Sequence, residues 1–561
     1  MQIAKFTKTY RHLKRYRQIL IILVKYGFDD VIDRLKIEYY IKLGKKVIPR
    51  LKEKDLEKIT RAQRVRLAFE ELGPTFVKLG QMLSVRPDLI PEDFINEFKK
   101  LQDEVPPFPV QQVREVIQAQ LGAPVEQLFS SFAEEPLAAA SIAQVHRAVI
   151  ENGQQVVVKI QRPNIQSVIE TDLSILFDLA MLIERHIPES KLYDPMAIVE
   201  EFAKTIRQEL DFIREGRNID RFRRNFTGDS TVYVPKVYWE LTTERVLTME
   251  YIDGIKASEI EKLKAAGLDP KIIAINGARA ILKQIFEHGF FHADPHPGNI
   301  LVLENNVIAP LDYGMMGRLD NEMQEEIGNL LSGIVHKDVD RIISVFRHIG
   351  VVEDTLDVRG LRYDIFDFLD RYYQVPLNQI NISRVINEAT EIVRRHRIKI
   401  PSDLILMGKA LATEEGVGRK LYPEFDMMSM AKPYVQKLMI RKLDPLKHLK
   451  DYARVFDEVN RLLKILPLEI RAIITKIKQG ELNIKFEHRG LEDLIIELDK
   501  ASNRLAFSMI IAALIIGSSL IVQLNKGPMI LGFPAIGIVG YLIAAILGLW
   551  LVIAIIRAGK L

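Results

Sequence analysis

A chain of 561 residues is too long for one ordinary domain, so two or more units are expected. Charged residues make up 27% and apolar ones 48%, which reads as a globular protein with a greasy addition. The net charge of +4 does not point to a nucleic-acid binder, and the absence of cysteine excludes disulfides, thiolate metal sites, iron–sulfur clusters and cysteine nucleophiles together.

The N-terminus is strongly basic. Lys5, Lys8, Arg11, Lys14, Arg15, Arg17 and Lys25 all precede the first acid, Asp29. The apolar run Ile19–Val24 is too short for a secretory signal. The stretch reads as a basic amphipathic helix, either lying on anionic lipid or packed on the protein. A mitochondrial transit peptide is disfavoured because the stretch lacks serine.

Residues 30–120 read mostly helical, with Pro106, Pro107 and Pro109 interrupting them. They include "GPTFVKLGQMLSVRPDLIP", with Lys78 and Gln81 in a helical setting. The character changes near residue 125. "SIAQVHRAVIENGQQVVVKIQRP" is two β-rich runs joined at Asn152-Gly153, a strong hairpin signal. Helices are expected at Ile165–His186 and from Pro195 to about Phe226, and short strands at Val232–Tyr238 and Arg245–Tyr251. Residues 255–290 read helical, as does almost everything from Asp312 to residue 500. No internal repeat or low-complexity segment stands out.

The greasy addition is C-terminal. Leu505–Leu524 and Ala535–Ile556 carry no charge, and each can cross a hydrocarbon core of about 30 Å as a helix. A polar turn, Asn525–Pro528, joins them into a hairpin. Lys500, Arg504, Arg557 and Lys560 place both ends in the cytoplasm, with only Lys526 opposing. The alternative is a helical pair buried in a soluble core.

The stretch richest in chemistry is "FFHADPHPGNILVLENNVIAPLDYG", Phe290–Gly314. His292, Asp294 and Asn299 have the H-x-D-x4-N spacing of a phosphotransferase catalytic loop. There the aspartate takes the proton of an attacking hydroxyl and the asparagine binds a metal ion. Two apolar strand runs follow and lead to Asp312-Tyr313-Gly314, a D-F-G type element whose aspartate holds magnesium on nucleotide phosphates. A β-hairpin between Asn299 and Asp312 would bring the two ligands together.

Such a site needs a strand lysine and a helical glutamate. Lys159 ends the apolar run "VVVKIQRP", and "QELDFIREGRNIDRF" offers Glu209, Asp211 and Glu215, the last two sharing a face at i,i+4. Each piece alone is a weak signal; the ordered set is a specific one. His288, His292 and His296 suggest a metal cluster, but Pro295 and Pro297 prevent one continuous helix from presenting them together. His292 is expected to hold the catalytic loop instead. Where kinases carry a glycine-rich turn, this chain reads Pro136-Leu137-Ala138-Ala139-Ala140-Ser141, a stiffer loop.

Lys78–Gln81, Ala138–Ser141, Lys159, Glu209-x-Asp211, His292–Asn299 and Asp312–Gly314 together resemble the UbiB/AarF family of atypical kinase-like proteins. The resemblance covers about residues 25–430, including "PSDLILMGKALATEEGVGRKLYPEFD", and the twin C-terminal spans are similar to its bacterial members. It implies an α+β, atypical protein-kinase-like fold of two lobes, with a helical N-terminal extension, a helical C-terminal region and a transmembrane helical hairpin. The expected parts are an extension over 1–120, an N-lobe with a helical insert over 121–253, a C-lobe core over 254–350, a helical region over 351–500 and the hairpin over 501–561.

The resemblance also implies roles. Asp294, Lys159 and Glu215 would be catalytic, with Lys159 on the phosphates and paired to Glu215. Ala138, Ala139, Ala140, Ser141, Lys159, Glu250 and Ile252 would bind ATP or ADP. Asn299 and Asp312 would bind Mg2+. Lys78 and Gln81 would sit over the site, with Lys78 reaching Glu209 and Asp211. The expected setting is a bacterial cytoplasmic membrane, with the kinase-like part facing the cytoplasm. The expected partners are anionic lipids, a quinone precursor and soluble quinone-pathway enzymes; no nucleic acid is expected.

The expected function is a membrane-anchored kinase or ATPase supporting ubiquinone or other isoprenoid-quinone biosynthesis. A small-molecule or lipid kinase and a nucleotide-binding scaffold without turnover are the alternatives. Direct ring hydroxylation is disfavoured, because no flavin-type G-x-G-x-x-G opens a βαβ unit. The chain after Gly314 leaves no room for a long activation segment and has no A-P-E element, so peptide phosphorylation is not expected.

Overall fold

The computed structural model describes residues 2–35, 59–84, 86, 89–101, 105–187, 190, 194–350, 357–372, 375, 381–396, 398, 400–441, 478, 491–524, 528–530 and 533–557. The chain divides into two units, 1–445 and 446–561, each described by itself. The expected polar turn at 525–527, Lys560 and most of the helical reading for 442–490 lie outside the described residues.

The first unit opens with helix α1 (Gln2–Lys25). Ile19, Leu20, Ile22 and Val24 are buried, so this half of the helix packs on the protein. Arg15 fixes it there by reaching the buried Asp172 with Nε and Nη2 at 2.7 and 2.9 Å. Lys14 and Arg17 stay exposed. Helix α2 (Arg61–Leu72) starts with a capping box between Thr60 and Gln63. Gly73, at φ +94°, turns the chain into α3 (Pro74–Leu83), which carries Lys78 and Gln81.

The N-terminal sheet runs β1-β3-β4-β5, with β2 on the edge of β3. β1 is Ser131–Phe132, β2 Ala138–Ala139, β3 Ala143–Val149, β4 Gln155–Gln161 and β5 Val246–Glu250. β3 and β4 are the expected hairpin, turning at Gly153 with φ +80°. Period-2 alternation divides β4. Val156, Val158 and Ile160 pack against Val113, Ile117 and Phe129, while Val157 faces the main core. Lys159 shares the face of Val157.

Helix α4 (Ile165–His186) has the expected bounds. The single helix expected from Pro195 is two, α5 (Pro195–Glu209) and α6 (Phe212–Asn225). Asp211 makes the break: its backbone is extended and its carboxylate caps α6 by accepting from Arg214 N at 3.1 Å. The strand expected over Val232–Tyr238 is only two isolated bridges, Val232 to Ile308 and Val237 to Met249. Pro235 between them cannot donate to a ladder.

In the second lobe, a short sheet orders β6 (Ile255–Lys256), β8 (Ile300–Val302) and β9 (Ile308–Pro310). The 255–290 stretch thus begins with a strand. Helix α7 (Pro270–Lys283) runs into a π-helical turn, Gln284–His288, which delivers β7 (Phe290–His292). β10 (Met316–Arg318) pairs with β7, so residues after Asp312 are not all helical. Beyond it stand α8 (Asn321–His336), helices over Val339–Ile349, Val358–Tyr372 and Ile382–Arg395, then α9 (Ser402–Leu421) and a helix over Met427–Arg441.

The second unit is a helical pair, α10 (Leu491–Leu524) and α11 (Ala535–Arg557). Two stretches, 501–524 and 535–552, are long and apolar enough to cross a membrane. Only 6% and 11% of these spans are buried, unlike a helical pair in a soluble core. Gly537 and Gly540 let the helices approach closely, since a Cβ there would stand 2.5 Å from Val522 and 2.1 Å from Ser518.

Candidate active site

Lys159 Nζ lies 2.8 and 2.9 Å from the two Glu215 carboxylate oxygens. Glu215 is only 3% exposed, on the face of α6 that also buries Phe212, Ile219 and Phe222. Burial alone would push the lysine down; the carboxylates of Glu215 and Asp312 outweigh it and hold its ammonium above the ordinary value. Of the three candidate acids, only Glu215 meets Lys159. Glu209 pairs with Lys78 at 3.3 Å, and Asp211 is spent on the helix cap. Gln81 donates to the Leu101 carbonyl at 3.3 Å.

The β8–β9 hairpin joins the two proposed metal ligands as expected. Leu311 N donates to the Asn299 carbonyl at 2.9 Å, which puts Asp312 one residue beyond Asn299 across the ladder. Burial pushes the Asp312 carboxyl up, but Lys159, the Gly314 N–H, His292 and Lys78 together hold it below its ordinary value. Gly314 N donates to Asp312 Oδ1 at 2.9 Å.

His292 organises the loop from inside. Its N–H donates to Gln284 Oε1 at 2.9 Å, and its Nδ1 accepts from Asp294 N at 3.1 Å. Burial pushes its imidazole down, favouring the neutral ring. His296 accepts from Gly298 N at 3.2 Å. Among the described residues no three His, Cys, Asp or Glu side chains gather as a metal cluster.

The alanine loop is held tightly. Ala138 and Ala139 pair with Val145 and Gln144, and Ala140 N donates to the Ala143 carbonyl at 2.8 Å. Ser141 Oγ is buried, with no hydrogen-bond partner among the described residues. The Glu250 carboxylate is occupied, accepting from Tyr233 Oη at 2.6 Å and Lys236 N at 3.1 Å. Ile252 is buried with Leu301 and Ala309.

These residues fit a nucleotide carrying a divalent cation. Lys159 supplies a fixed positive charge, Asn299 and Asp312 supply oxygen donors of the kind magnesium takes, and Ser141 holds a buried hydroxyl without a partner among the described residues.

The chain matches the ABC1 atypical kinase-like domain over residues 100–346, the UbiB helical domain over 365–426 and the ABC1/UbiB kinase-like C-terminal domain over 489–557. It is 39% identical to a probable protein kinase UbiB of Aeromonas hydrophila, over 78% of this chain and 81% of that one. A Pseudomonas aeruginosa protein of the same description is 37% identical over 80% and 86%. An uncharacterized protein in the hydrogenase 1 5' region of Clostridium pasteurianum is 34% identical over 98% and 99%. The chain belongs to the UbiB family of atypical kinase-like proteins. The erythromycin complex of a Mycobacterium tuberculosis protein overlaps 66% of this UbiB chain and 93% of its own, at 24% identity and a TM-score of 0.46.

Three further side chains at the site carry no signal of their role in the sequence. Lys409, on α9 in the UbiB helical domain, places Nζ 3.0 Å from Asp294 Oδ1. Arg162 pins the alanine loop: Nε donates to the Ala140 carbonyl at 2.9 Å and Nη2 to the Pro106 carbonyl at 2.8 Å. Asn218, on α6, donates to the Tyr313 carbonyl at 3.0 Å. Lys409 lies in the "PSDLILMGKALATEEG" run and Arg162 in "VVVKIQRP", two stretches that stood out without giving these residues a role.

Proposed function

We propose that the chain is a membrane-anchored atypical kinase or ATPase that uses magnesium–ATP. It serves ubiquinone or another isoprenoid-quinone biosynthesis by ATP-driven handling of a lipid intermediate. The observation that carries the reading is the buried Lys159–Glu215 pair, set beside Asp312 and, across one hairpin, Asn299. The same chain ends in two exposed apolar helices.

Lys159 holds nucleotide phosphates, and Glu215 keeps its ammonium in place. Asn299 and Asp312 would hold magnesium, which neutralises charge developing on the phosphates. Asp294, 42% exposed at its side chain, orients the attacking hydroxyl, and Lys409 keeps its carboxylate aimed. The hairpin sits in the bacterial cytoplasmic membrane, with the kinase-like part on the cytoplasmic side, as Arg504 at the start of the first span favours. Anionic lipid, a quinone precursor and soluble quinone-pathway enzymes are the partners in this reading.

The test is phosphate release from magnesium–ATP by the full-length protein in anionic liposomes, with the Asp312→Asn variant as control and a phenolic quinone precursor as additive. Turnover that needs Asp312 and rises with lipid or phenol supports the proposal. Phosphate recovered on the phenol or on a lipid would favour the small-molecule or lipid kinase. Tight nucleotide binding without turnover under every condition would leave a nucleotide-binding scaffold.

A further inference from the structure

Tyr313, the middle residue of D-Y-G, is completely buried, and α6 holds it at two points. Its carbonyl accepts from Asn218 Nδ2 at 3.0 Å. Its ring meets Phe222 edge-on, with centroids 5.3 Å apart. Asn218 and Phe222 are i,i+4 on α6, so one face of the helix, the face that also carries Glu215, supplies both contacts.

The Asn218 contact bears on the metal ligand. The Tyr313 carbonyl and the Gly314 N–H belong to one peptide group. That group is planar and trans, so fixing the direction of its C=O fixes the direction of its N–H. The same N–H donates to Asp312 Oδ1. Asn218 is 3% exposed, and its amide is therefore a buried donor aimed at a buried acceptor.

We propose that Asn218 is a positioning residue for Asp312: by holding the Tyr313–Gly314 peptide, it sets the direction in which the Asp312 carboxylate meets a metal–nucleotide. The inference rests on the nucleotide reading above. It joins the two halves of the site, because the helix that pairs Lys159 through Glu215 also aims the metal aspartate through Asn218. A movement of α6 would disturb both at once.

The experiment uses the full-length protein in lipid nanodiscs, with ADP and Mn2+ as probes. Free Mn2+ is read by paramagnetic resonance and ADP binding by calorimetry, with and without the metal. Asn218→Leu keeps the branching at Cγ, with bulkier ends, and has no donor. It is expected to raise the Mn2+ concentration for half-saturation by about tenfold, the scale of one lost hydrogen bond. Metal-free ADP affinity should stay within about twofold. Asn218→Ser, which can reach the carbonyl through a water, should recover part of the Mn2+ response. It is read by the same criteria if the leucine variant fails to fold. An unchanged Mn2+ dependence overturns the proposal. So does an equal loss of ADP binding with and without metal, which marks a merely structural side chain. If the wild-type protein shows no Mn2+-dependent ADP binding, the proposed function itself fails, and the inference falls with it.

Discussion

Glu414 gives the sharpest quantitative test. It lies on α9, five residues beyond Lys409, and is almost fully buried. Its Oε1 occupies the space beside Gly277 of α7, 2.2 Å from where a Cβ would stand. Burial pushes its carboxyl from 4.5 up to about 7. Between those values the folded chain keeps a proton that the unfolded chain has released. Stability therefore falls as pH rises from about 4.5 to about 7, and the loss is complete above. At about 1.4 kcal/mol per pH unit, the interval amounts to about 3 kcal/mol. Glu414→Gln mimics the protonated side chain and removes this dependence. Denaturant unfolding of the full-length protein in detergent, followed by tryptophan fluorescence, measures it. The variant should match the wild type near pH 4.5 and gain on it up to about pH 7, with the gap level beyond. A gap that stays constant across this range would refute the argument.

Two other perturbations act on named contacts. Arg15→Met leaves the Asp172 carboxylate, fully buried at its side chain, without its bidentate partner. The expected cost is about 3–5 kcal/mol, seen as faster proteolytic release of α1, and Asp172→Asn in the same chain should recover most of it. Lys409→Met takes the cation from Asp294. It should lower kcat for phosphate release at least tenfold, with KM for ATP within about twofold; an unchanged kcat would remove Lys409 from the mechanism.

What could be read in advance depended on how locally each feature is encoded. The β3–β4 hairpin is specified by two apolar runs and an Asn-Gly turn, and α4 by one uninterrupted apolar stripe. The catalytic loop and D-Y-G sit within one stretch of fixed spacing, so their meeting across β8 and β9 was legible. The break between α5 and α6 was not, because the helical pattern runs through it. Asp211, an N-cap residue type before Phe212, was the available signal. Val232–Tyr238 was misread because its β-rich composition outweighed Pro235. Lys409, Arg162 and Asn218 escaped for a different reason. A lone lysine, arginine or asparagine declares no partner in sequence, and each finds its own only when distant segments pack.

The connection after D-Y-G bears on the acceptor. Met316, Gly317 and Arg318 pair at once with His292, Phe291 and Phe290, and Asp320 already caps α8 by accepting from Met323 N at 2.8 Å. Gly317 has no space for a side chain, because a Cβ there would stand 2.2 Å from the Phe291 ring. The backbone between Gly314 and Asp320 is thus committed to a strand, with no length left to build a platform for a peptide. Helix α9 secures that strand from outside, where Asp403 accepts from Arg318 N at 2.9 Å, and the same helix sends Lys409 to Asp294. Under the function proposed above, a peptide acceptor lying along this strand would compete with both contacts of α9. On the same proposal, a water molecule or a small hydroxyl compound is the acceptor that leaves both contacts in place.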